Sequence, residues 1–334
     1  MRLGLTIAAA LGLAMAAALI WWTGSAEIAG AVAQVGWGLT AIIGFHFVQL
    51  VASSRAWQTL IAVPGARGLG WVMVARWIRE AVNNLLFVAQ IGGEFVGARL
   101  LHVTGVPLGA RAASVTVDLT MEMASQVAFA LLGLLLLPTL DNPAITLWAA
   151  VGVAVGALMV GAFITFQRSG MVKLVERALV RMTEQFNWPA LGDIAGMHDA
   201  MRNLYANPKK LGVAFLWHTI SWLLGGLEVM LALYLVGVAV DLRQGLIIES
   251  LGQAMRAFGF FIPASLGVQE GGYVLICAAL GIGPAAAIEL SLLKRIREVA
   301  LGVPALVAWE FIEVRGLVAD SGKPAPVPVP VNGD

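Results

Sequence analysis

The stretch ESLGQAMRAFGFFIPASLGVQEGGYVLICAAL, Glu249 to Leu280, decides how this chain is read. Its surroundings are apolar enough to lie in a membrane, yet it carries Glu249, Gln253, Arg256, Gln269 and Glu270. Pro263 removes a backbone donor in the middle, and Gly267, Gly271 and Gly272 let the chain turn. Unwound backbone at membrane depth is tolerated only where protein buries it or water lines it. The stretch therefore predicts two half-helices meeting at a turn, a re-entrant hairpin of the kind that builds binding sites in transporters. Glu270 falls at the start of the returning half-helix, where the helix dipole favours a carboxylate. It reads either as a cap or as a group that also meets a substrate headgroup or a coupling cation.

The composition sets the class. Of 334 residues, 59% are hydrophobic and only 12% charged, against about 25% charged in a soluble domain. Mean hydropathy is +0.85, so the expectation is an all-α integral membrane protein. A formal charge of +1 gives no reason to expect nucleic acid as a partner. The single cysteine, Cys277, cannot form an internal disulfide, and no His/Cys spacing points to a metal or cofactor.

Working outward, Leu3–Trp22 reads as a first span rather than a cleaved signal peptide, being longer than an h-region. Ala33–Ala52 is a second span, with His46 and Gln49 as helix-packing polars, and Ser53–Gly68 reads as a loop. Leu69–Gln90 is apolar but studded with Arg76, Arg79, Glu80, Asn83 and Asn84; Arg76 and Glu80 can pair at i,i+4. Ile91-Gly92-Gly93-Glu94 and a short helix through Arg99 follow.

This order of charged helix, glycine turn with a glutamate, and helix echoes Gly267–Glu270. A weak repeat of that sort is what an inverted-repeat transporter leaves in its sequence; the halves are residues 69–137 and 246–312. Asp118, Glu122 and Gln126 form a polar stripe on the long span that ends at Leu137. Ala144–Phe166 is a plain span, and residues 167–210 are hydrophilic, with a basic amphipathic helix at Met171–Met182 that fits a membrane surface. Leu211–Val240 carries His218 and Glu228, and Pro284–Ile312 carries Lys294, Arg295, Arg297 and Glu298. Residues 316–334 read as a disordered, proline-rich tail.

The distribution of basic loops gives about six full spans plus two opposed hairpins in one domain, residues 1–315, with both termini cytoplasmic. A charge at the centre of a membrane helix costs about 2.5 to 3.5 kcal/mol. The basic groups Arg76, Arg79, Arg99, Arg111, Arg256, Lys294, Arg295 and Arg297 are matched by Glu80, Glu94, Asp118, Glu122, Glu228, Glu249, Glu270 and Glu298. The balance points to mutual pairing in one interior polar core rather than to a cationic pocket. Arg76 and Arg256 are expected to contact carboxylates, with Glu80, Asp118, Glu122 and Glu249 the leading partners.

On Gly92, Glu94 and Arg99 in the first motif and Pro263, Gly267, Glu270 and Gly271 in the second, the chain resembles the transmembrane family of lysyl-phosphatidylglycerol synthases, often described as flippase-like. Within it, the likeness is to membrane proteins encoded with hopanoid biosynthesis. It covers roughly residues 5 to 315. Gln90 stands near where the family motif often has proline, so that turn can differ. The soluble aminoacyl-transferring domain of full synthases is not in this sequence, which argues against lysyl-lipid synthesis.

The resemblance implies lipid handling in the bacterial inner membrane, with hopanoid, isoprenoid or phospholipid as partners and lipid-biosynthetic enzymes as further ones. The leading function is a lipid translocator. The alternatives are a membrane enzyme using Glu94, Glu270 or Asp118 as acid or base, and a non-transporting scaffold. Candidate substrate-binding residues are Arg76, Glu80, Glu94, Arg99, Asp118, Glu122, Arg256, Pro263, Gly267, Glu270, Lys294 and Arg297.

Overall fold

The computed structural model describes residue 30 and residues 33–61, 68–86, 92–137, 143–168, 196–258 and 267–321. Among them the chain is helical and contains no strand. In order come α1 (Gly38–Leu60), α2 (Leu69–Leu85), α3 (Gly92–Leu100) with a 3₁₀ turn at Leu101–Thr104, α4 (Leu108–Leu136) and α5 (Pro143–Arg168). They are followed by α6 (Met197–Tyr205), α7 (Pro208–Leu235), α8 (Leu242–Phe258), α9 (Val268–Ala279) and α10 (Pro284–Ser321). The expected first span, the Met171–Met182 helix, the Pro263 turn and residues 322–334 lie outside the described residues.

Among the described residues, three helices, α1, α4 and α7, are long and apolar enough to cross a membrane. Their outward faces keep Val48, Leu131, Leu135, Val213, Leu216 and Tyr234 exposed, as hydrocarbon solvent permits. At 1.5 Å per residue, the 17 residues of α2 and of α8 each extend about 26 Å, short of the ~30 Å hydrocarbon core. Each is followed by a shorter helix packed against it, α3 on α2 and α9 on α8.

The apolar side chains gather in three clusters. One joins Trp57 of α1 to α2, α3 and α10. A second joins Ile42 to α7, α8, α9 and α10, and a third packs α6 on α1, α4 and α7. With α1 against α7, α2 against α10 and α4 against α8, polar positions on these helices are turned toward one another.

Two boundaries differ from expectation. Ser53–Leu60 is helix, not loop, and two of its hydroxyls are satisfied within the helix: Ser53 Oγ donates to Leu50 O at 3.2 Å and Thr59 Oγ1 to Ala56 O at 2.7 Å. Trp57, fully buried, holds that last stretch in the core. At the other end α10 continues past Ile312 to Ser321.

Candidate functional site

The site begins on α2. Arg76 and Arg79 are both buried there, one turn apart and on one face. Arg76 Nε pairs with Glu80 Oε1 at 2.9 Å, its Nη1 with Asp118 Oδ2 at 3.0 Å and its Nη2 with Glu122 Oε1 at 2.5 Å. Arg79 reaches the same Asp118 oxygen at 2.6 Å, Glu122 Oε2 at 3.4 Å and Glu94 Oε2 of α3 at 2.7 Å. The other Asp118 oxygen faces His218 Nε2 of α7 at 2.9 Å. Asn83 braces Glu94 from behind, its Nδ2 donating to Oε1 at 3.2 Å while its own Oδ1 accepts from Gly93 N–H at 2.9 Å. This lobe holds four carboxylates, Glu80, Glu94, Asp118 and Glu122, against two guanidiniums.

A second lobe is built on α10, where Lys294, Arg295, Arg297 and Glu298 are all buried. Lys294 pairs with Glu249 of α8, which also accepts from Gln253 Nε2 at 2.8 Å. Lys294 Nζ lies 5.6 Å from the Tyr273 ring centroid. Arg297 pairs with Glu228 of α7. Arg256 Nη1 pairs with Glu298 at 2.5 Å and its Nη2 donates to Asn84 Oδ1 of α2 at 3.0 Å. Arg295 bridges Glu298 at 3.6 Å and Glu270 of α9 at 3.2 Å. Here four carboxylates, Glu228, Glu249, Glu270 and Glu298, meet four cations.

The lobes join at His46 of α1. Its Nε2 stands 3.7 Å from Glu80 Oε2 and its Nδ1 3.2 Å from Glu228 Oε2. Gln49, one turn on, also donates to Glu228. A cavity of about 20 Å³ opens at this junction, lined by His46, Trp77, Glu80, Asn84, Arg297 and Glu298; that is room for about one water. The charged network is thus continuous from Glu94 on α3 to Glu270 on α9.

Of the residues expected at the site, Arg76, Glu80, Glu94, Asp118 and Glu122 share the first lobe, and Arg256, Glu270, Lys294 and Arg297 the second. Arg99 does not join either. Its side chain is 48% exposed and makes a two-pronged contact with Glu313 of α10, at 2.7 and 2.9 Å, because it sits at the end of α3 away from Glu94. Gly267 precedes α9 with a φ of +79° and its N–H donates to Glu270 Oε2 at 2.7 Å, so Glu270 caps the helix and pairs with Arg295 at once. Pro263 lies outside the described residues. Arg256 meets Glu298 rather than Glu249, which Lys294 holds instead.

His46, Arg79, His218, Glu228, Glu249, Arg295 and Glu298 are network members that were not singled out as site residues. Arg79 had a signal, being one turn from Arg76 on a helix that also carries Glu80. Glu228 had a signal as a carboxylate within an apolar span, but its pairing with His46 spans 182 positions of sequence and could not be read.

Asp118, Glu122 and His218 each offer a ligand atom, all within 4.8 Å of one another. Both carboxylates already face two guanidiniums, and that positive charge opposes a metal ion in the same space.

Residues 8–305 match the family described as the lysylphosphatidylglycerol synthase TM region. The chain belongs to that family. Comparisons with curated proteins and with solved structures give no match. For the lysylphosphatidylglycerol synthase TM family, the match takes in every described helix from α1 to α9 and α10 as far as Ala305, with Lys294 to Glu298, so both lobes of the network fall inside the family region.

Proposed function

We propose that this chain moves lipids between the leaflets of the bacterial inner membrane, the headgroup passing through the charge network while the tails stay in hydrocarbon. Family membership supports a lipid-related membrane role. The observation that carries translocation is the continuous network itself, which runs between two helix–break–helix units through a water-sized cavity. A headgroup phosphate or ammonium is costly to expose to hydrocarbon. Along a chain of paired Arg and Glu side chains it trades one partner for another and never loses all of them.

In this reading α2–α3 and α8–α9 are the two re-entrant hairpins of an inverted repeat, opened from opposite faces, with both termini in the cytoplasm. Arg76, Glu80, Glu94, Asp118, Glu122, Arg256, Glu270, Lys294 and Arg297 contact the headgroup, and Arg99, Pro263 and Gly267 shape the ends of the route. Phospholipid, isoprenoid and hopanoid lipids are the substrate classes, and lipid-biosynthetic enzymes the fitting partners. One observation favours a second reading, an enzyme acting on a headgroup: the Asp118–His218 contact at 2.9 Å is a carboxylate–imidazole pair of the kind used for proton transfer.

One experiment separates them. Purified protein is reconstituted in vesicles containing acyl-labelled fluorescent phosphatidylglycerol; leaflet exchange is followed by chemical quenching and lipid masses are measured in parallel. Exchange above that of protein-free vesicles with unchanged lipid masses supports translocation. A new covalent lipid product without exchange supports the enzyme and overturns the proposal.

A further inference from the structure

The two lobes differ in charge, and the residue between them is a histidine whose two ring nitrogens both face carboxylates. A carboxylate accepts hydrogen bonds and cannot donate, and a neutral imidazole carries one N–H. Nδ1 is within hydrogen-bond distance of Glu228 and Nε2 stands at ion-pair distance from Glu80, so both contacts are favourable together only with a proton on each nitrogen. We propose that His46 is a proton-binding site that couples the two lobes, taking its proton from water in the adjoining cavity. This deepens the translocation reading by naming the coupling ion, and it rests on that reading for its transport consequence alone.

The surroundings of His46 fit this role. From α2 it faces Glu80, with Asn84 across the cavity; from α7, Glu228; from α10, Arg297 and Glu298. On its own helix Gln49 shares Glu228. The α4 carboxylates Asp118 and Glu122 are turned to Arg76 and Arg79 instead. Arg297 opposes a charge on His46, while Glu80 and Glu228 favour it. The first lobe, with four carboxylates to two guanidiniums, is the side short of positive charge, and burial makes that shortage expensive. With its proton, His46 hydrogen-bonds Glu228 of the second lobe and attracts Glu80 of the first. When the proton leaves, one nitrogen becomes an acceptor facing a carboxylate, that contact turns repulsive, and α1 with α7 is free to part from α2. The proton itself passes to a cavity water, and no other bond is made or broken.

The test uses the full chain with ¹⁵N-labelled histidine, in which the four histidines are assigned with His46→Gln. The expected result is two protonated nitrogens on His46 at neutral pH, lost in one step on raising pH. Glu80→Gln and Glu228→Gln should each shift that step to lower pH, because each removes a carboxylate that favours the charged ring. A single protonated nitrogen at neutral pH, or a step unmoved in both glutamine variants, overturns the site. In vesicles, a pH gradient should bias wild-type exchange by up to about tenfold per pH unit, the limit for one coupled proton, and His46→Lys should abolish the bias. Active exchange indifferent to the gradient overturns the coupling. If the wild type exchanges no lipid at all, it is the translocation reading that fails, and the spectra still decide the site.

Discussion

Arg79 and Glu94 meet at 2.7 Å across the break between α2 and α3, so the first helical unit is closed by charge as well as by packing. The close approach depends on Gly93. A Cβ there would lie 2.3 Å from the Arg79 carbonyl oxygen and 2.6 Å from Asn83 Oδ1, and a backbone carbonyl cannot swing away as a side chain can. Gly93→Ala is accordingly expected to destabilise by about 1–3 kcal/mol and to loosen the Arg79–Glu94 pair. Gly44→Ala, with nothing within 4 Å of the added carbon, serves as the control and should be neutral or gain about 0.5–1 kcal/mol. Thermal unfolding in detergent checks the contrast; similar midpoints for the two variants would contradict it.

Asp118 is fully buried and faces Arg76, Arg79 and His218 together. Asp118→Asn removes the fully buried one of the two carboxylates, Asp118 and Glu122, that are common to both guanidiniums. Breaking a buried charge pair from one side costs about 3–5 kcal/mol, so this variant should be among the least stable single changes in the network. Glu313→Gln, which breaks the half-exposed Arg99 contact, should cost no more than about 1 kcal/mol. Unfolding midpoints for the two that differ by less than a degree would speak against a buried first lobe.

Lys294 and Glu249 form a pair with both side chains 4% exposed. Lys294→Met and Glu249→Leu should each destabilise by several kcal/mol, because each strands the other charge, while the double variant should recover much of the loss. A double-mutant cycle on denaturation measures this. Additive losses would mean that the two charges do not depend on each other.

The membrane class and the pairing of charges were legible in the sequence because both are compositional: an apolar chain cannot keep Arg76 and Glu80 in hydrocarbon unless they are matched. The i,i+4 spacing of Arg76 with Glu80, and of Asp118 with Glu122, placed each pair on one face before any tertiary information. What could not be read was which helix faces which. Arg256 finds Glu298 and not Glu249 because Glu249 is already held by Lys294 of α10. His46 looked like an ordinary packing residue since its partners, Glu80 and Glu228, arrive from distant helices. Ser53-Ser54-Arg55 resembled a loop by residue type alone, although hydroxyls bonded one turn back are at home in a helix.

Glu270 accepts the Gly267 N–H and pairs with Arg295, while its side chain stays 30% exposed. Glu270→Gln keeps the acceptor for the cap and removes the charge. Stability should fall by no more than about 1 kcal/mol, whereas lipid exchange should be lost. Normal exchange with a clearly lowered unfolding midpoint would assign Glu270 to the cap alone.

The central claim is that a headgroup passes between the two lobes, and it can be tested by tying them together. Ala81 of α2 and Gly302 of α10 both line the junction cavity, and a Cβ on Gly302 would lie 3.7 Å from that of Ala81, close to the ~3.8 Å usual for a disulfide, once the Leu85 side chain, whose Cδ1 stands 2.4 Å from that Cβ, turns aside. In a Cys277→Ser background, Ala81→Cys with Gly302→Cys should cross-link on oxidation, and lipid exchange in vesicles should stop and return on reduction. Exchange by the fully cross-linked protein at the rate of its reduced form would contradict a route between the lobes.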